Sequence, residues 1–130
     1  MNAPFFPAFL SVACGAVCGA SARWLLGLWF ASAAQPVPYA TLAANWAGAL
    51  FIGLAAGAAE LFPNLPPYWK LWFVTGLLGS LTTFSGFSLE TVALLQQQRY
   101  AAAILNAVLH LAGSLCLTAA GLWLARLFAR

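Results

Sequence analysis

Residues 76–88 read GLLGSLTTFSGFS, a run rich in glycine and hydroxyl groups inside an otherwise apolar stretch. Gly76, Gly79 and Gly86 weaken helix continuity, because glycine loses the most backbone freedom when it is held in a helix. Ser80, Thr82, Thr83 and Ser85 bring hydroxyls that can satisfy a disturbed backbone. At membrane depth, non-helical backbone is tolerated only when it is buried in protein or lines a cavity. Carbonyls freed by a break can coordinate a cation, and freed N–H groups can face an anion. Phe84 and Phe87 are three residues apart and fall on one helix face. Their ring edges carry partial positive charge, to which a small anion is attracted. From spacing alone, ordinary core packing is the commoner role of such a pair.

Working outward, the chain has 130 residues, of which 64% are hydrophobic and 5% charged. A soluble domain carries about 25% charged residues, so this composition cannot build a water-facing shell. The chain belongs in a lipid bilayer. Its net charge of +3 is spread too thinly to form a nucleic-acid surface. Cys14, Cys18 and Cys116 lie in apolar segments, with no His or carboxylate at metal-ligand spacing, and read as small filler. The opening MNAPFFPAFL lacks the charged n-region of a signal peptide, so the first apolar segment is expected to be retained as a span.

The apolar segments define one all-α membrane domain over 1–130, with four spans at about 5–30, 39–59, 69–95 and 101–128. Gln35-Pro36-Val37-Pro38, the proline-rich stretch after Glu60, and Gln96-Gln97-Gln98-Arg99 separate them. The third span is expected to break near its middle. Four spans place Lys70, Arg126 and Arg130 on one side, against Arg99 and, if it lies near a membrane face, Arg23. That imbalance is small, so either a weak bias still sets one direction under the positive-inside rule or the chain inserts both ways. Insertion both ways would let two copies pair antiparallel about a two-fold axis in the membrane plane.

Several polar residues in these spans need partners. Asn106, His110, Ser114 and Thr118 recur every fourth residue and so lie near one helix face. They can line a path or hydrogen-bond neighbouring helices. Thr41 and Asn45 share the same spacing in the second span, and the Asn45 amide can donate twice. Gly15 with Gly19, and Gly53 with Gly57, suit close helix packing. Arg23 reads as a snorkelling residue or as a lure for anions. Glu60 and Glu90 lie towards segment ends, which is not where a proton-coupled pump needs its carboxylate.

Four blocks, CGASARW (18–24), TLAANWAGALFIG (41–53), TGLLGSLTTFSGFSLET (75–91) and LAGSLCLT (111–118), resemble the Fluc (CrcB-type) fluoride channels in order and position. The resemblance implies an antiparallel, dual-topology homodimer, or a pair with a sister subunit, in a bacterial inner membrane. It implies passive, fluoride-selective conduction through two pores, and so resistance to fluoride. A structural sodium ion would sit at the dimer centre on the backbone carbonyls of Gly79 and Thr82. The matching pathway residues are Asn45, Phe84, Phe87, Ser114 and Thr118. Thr83 and His110 are expected to join them, and Arg23 to serve the vestibule or the structure. Three departures stand out. Ser80 follows Gly79 where the family has a second glycine, Gly86 replaces a hydroxyl residue, and Asn106 and His110 replace aromatic or hydroxyl residues. No enzymatic constellation is expected. The alternative is a small multidrug-type proton-coupled exporter, which needs a carboxylate in the first span, where this chain has none.

Overall fold

The computed structural model describes residues 4–31 and 37–128; Gln35, Pro36 and Arg130 lie outside them. Helices α1 (Phe5–Phe30), α2 (Tyr39–Leu61), α3 (Pro67–Gln96) and α4 (Tyr100–Leu127) are each long and apolar enough to cross a membrane. Two boundaries differ by two residues from those expected and three by a single residue. Helix α2 runs to Leu61 because Glu60 stays helical, its carboxylate held by Arg126 at 3.1 Å. Helix α3 begins at Pro67, since proline suits the first turn, where its missing N–H costs nothing.

Helix α3 is interrupted at two residues. Thr82 (ψ 153°) and Thr83 (φ −150°, ψ 115°) adopt extended dihedrals between the helical residues 67–81 and Phe84–Gln96. Thr83 then caps the second half, its Oγ1 accepting the Gly86 N–H at 3.0 Å. Two stretches widen to π-helical pairing, Lys70–Leu78 in α3 and Leu109–Gly113 in α4. Such widening frequently accompanies functional sites.

Helix α1 packs along the first half of α3, and α2 along the C-terminal part of α4. The second half of α3 leans on residues 100–108 of α4. Both main seams rest on small residues. A methyl group at Gly15 would collide with the Trp72 carbonyl, and one at Gly53 with the Thr118 carbonyl. Few large side chains are fully buried, and Ala44, Leu78 and Leu81 form the core beneath the break. Most of the remaining apolar surface, such as Phe5, Trp29 and Leu115, points outward, as lipid contact requires.

Candidate functional site

The break is held by an amide from another helix. Asn45, on α2, accepts the Thr83 N–H at Oδ1 (2.7 Å) and donates from Nδ2 to the Thr83 carbonyl (3.1 Å). The side chain thus reproduces both halves of a backbone pair at the point where the helix ladder fails. A second clamp comes from α1, where Arg23 Nε donates to the Ser80 carbonyl at 3.1 Å. Ser80 itself bonds across to α1, its Oγ donating to the Ala16 carbonyl at 3.0 Å. Ser80 therefore ties the break to α1.

These clamps leave two carbonyls without their helical donors. Thr83 N–H, which would serve Gly79, is taken by Asn45. Gly86 N–H, which would serve Thr82, is taken by the Thr83 hydroxyl. Gly79 is also exposed on the single chain. A carbonyl oxygen stripped of its donor is a ligand suited to a hard cation.

Beside the break lies an open cavity of about 500 Å³. Asn45, Thr83, Phe84, Phe87, His110 and Ser114 all line it, together with Gly79 and Thr82. The Phe84 and Phe87 rings meet edge to face, with centroids 5.4 Å apart and planes at 62°. Phe87 is buried and stacks obliquely on His110 at 4.7 Å, whereas Phe84 is 74% exposed on the single chain. Thr118 is not among the lining residues; it donates to the Ala49 carbonyl at 3.0 Å and joins α4 to α2. Asn106, completely buried, likewise bonds a neighbouring helix through Thr91 Oγ1 at 3.1 Å. The stripe on α4 thus divides, with its outer members bonding helices and His110 and Ser114 facing the cavity. Arg23 lies outside the lining, at the rear of the break.

Some contacts were not expected from spacing. Thr41 donates its hydroxyl to Glu90, which is half-buried rather than free at a segment end. The i, i+4 pair of Thr41 and Asn45 was the available signal, since it turns both polar groups towards α3. Trp46 Nε1 donates to the Leu109 carbonyl at 2.9 Å, where α4 widens into its π-helical stretch. No residue pattern announces that bond.

These features define a multi-pass, all-helical membrane protein with a clamped helix break beside a cavity lined by phenyl rings. The chain matches the profile described as CrcB-like protein, Camphor Resistance (CrcB), over residues 10–122, and it belongs to that family. It is 53% identical over 114 residues to a protein of Bordetella petrii, covering 88% of each chain. It is 51% identical over 113 residues to one of Albidiferax ferrireducens, covering 87% of this chain and 86% of that one. A protein of Chromohalobacter salexigens is 47% identical over 113 residues, with the same coverage. All three relatives carry the name fluoride-specific ion channel FluC. Four candidate spans and bacterial channel relatives make this a multi-pass bacterial membrane protein.

Proposed function

We propose that the protein is a fluoride-selective channel of the bacterial inner membrane, passing fluoride down its electrochemical gradient and so protecting the cell. The observation that carries this is the Asn45-clamped break opening on the Phe84–Phe87 pair, in a chain whose relatives bear the channel name. Fluoride is small and strongly hydrated, so a path must replace its water with donors. The Asn45 amide has a second N–H beyond the one given to Thr83. Thr83 and Ser114 hydroxyls and the phenyl edges complete the lining. Thr118 commits its proton to Ala49, so it serves the path as a helix tie that holds Ser114 in place.

The working unit is an antiparallel dimer. Its support is the near balance of basic residues and the exposure of Gly79 and Phe84 on the single chain. Sodium fits the break, because the Gly79 and Thr82 carbonyls are the ones whose helical donors are engaged elsewhere. Bound there, it would supply a fixed positive charge between the two copies. The test is growth: expression in a fluoride-sensitive bacterium without its own exporter should restore growth on fluoride, and Phe87→Ile should not. Equal sensitivity with and without the wild-type chain would reject the proposal.

A further inference from the structure

Among the described residues, His110 is the only ionisable side chain on the cavity wall. It is 5% exposed and packs on the Phe87 ring. Its Nδ1 lies 3.0 Å from the Asn106 backbone carbonyl. A carbonyl oxygen only accepts, so Nδ1 carries the proton in that contact. In the neutral ring Nε2 is then a bare acceptor, and it is buried with no partner. Two more buried acceptors are also without partners, Asn106 Oδ1 one turn earlier on α4 and Glu90 Oε2 one turn beyond Phe87 on α3. His110 Nε2 thus stands on the cavity wall as an unpartnered acceptor, with two more buried orphan acceptors one turn away on α4 and α3. A proton is the simplest group that changes that state.

From these contacts we infer that His110 is a proton-operated fluoride site, an inference that rests on the channel reading above. With Nε2 bare, its lone pair repels an anion leaving the Phe87 edge. A proton from bulk water converts Nε2 into an N–H donor carrying positive charge, which takes fluoride as a charge-assisted hydrogen bond. Asn45, Phe87 and Ser114 share the cavity wall with His110, and Thr41, Glu90 and Asn106 lie on the adjoining turns of α2, α3 and α4. Among the described residues, Glu90 is the other titratable group within electrostatic reach. Conduction rises as pH falls, the condition under which fluoride enters cells as its neutral acid.

Voltage-driven fluoride current through the full-length chain in a planar bilayer tests this, because neutral hydrogen fluoride carries no current. Between about pH 8 and about pH 5.5 the wild-type current should grow at least about threefold. His110→Gln should be flat across that range, and Glu90→Gln should keep the rise. A flat wild-type response, or a rise that survives His110→Gln, overturns the inference. Absence of fluoride current at every pH instead rejects the channel reading. A second readout needs no conduction: the chain has one histidine, so its ring ¹⁵N signals are unambiguous. Linkage requires that sodium fluoride raise the midpoint of the His110 titration and that sodium chloride leave it in place. An identical midpoint in both salts overturns the inference whatever the currents show.

Discussion

Asn45 carries two jobs that a single substitution can separate. Aspartate keeps an acceptor for the Thr83 N–H, now held at 2.7 Å, but offers no donor to the Thr83 carbonyl when ionised. Asn45→Asp should therefore lose fluoride flux at alkaline pH and lower stability by about 1–3 kcal/mol, the usual cost of a stranded buried group. Flux measurement and thermal unfolding in detergent report the two losses. Retained flux at alkaline pH would count against Asn45 as a pathway residue. The two phenylalanines separate differently. Phe84 is largely exposed on the single chain, and Phe87 is buried against His110. Both Phe84→Ile and Phe87→Ile should abolish flux, and Phe87→Ile should also lower the unfolding temperature of the single chain. Unaltered currents in both variants would remove the ring edges from the path.

At the level of elements, the decisive feature is a helix that stops and restarts within two residues. Thr83 restarts it by capping the second half of α3 through Gly86 N–H. Thr83→Ala should cost about 1 kcal/mol of stability, and Thr83→Ser should restore most of it; equal unfolding curves for alanine and wild type would deny the cap. Much of this element was legible beforehand. Glycines and hydroxyls in GLLGSLTTFSGFS pointed to non-helical backbone, which falls at Thr82 and Thr83. Close packing at Gly15 and Gly53 was legible from small-residue spacing and is seen against Trp72 and Thr118. The clamps were not legible. Arg23 on Ser80 and Glu90 on Thr41 join residues far apart in the chain, and only helix packing brings them together. The π-helical stretches also lack a side-chain signature, because they arise from shifted backbone pairing. The α4 stripe was legible as a stripe but not as two classes of residue. Its division follows from which turns face α2 or α3 and which face the cavity.

For the whole molecule, topology places the ends of α2 and α4 on the same membrane face, where Glu60 and Arg126 pair. Both side chains are more than half exposed, so water screens the pair. Reversing it as Glu60→Arg with Arg126→Glu should leave fold and flux unchanged, as measured by unfolding and efflux. A large loss would mean that the pair fixes orientation in the membrane. The central claim concerns what crosses that membrane. The driving force is the fluoride gradient plus about 2.3 kcal/mol per charge for each 100 mV of potential, with no phosphate-binding loop of the Walker type in the chain. Purified protein in liposomes loaded with equal fluoride and chloride, with a potassium ionophore to carry the balancing charge, tests it most directly with ion-selective electrodes. The account predicts rapid fluoride release and chloride retained at the level of protein-free liposomes. Fluoride retained, or chloride released alongside it, would contradict it.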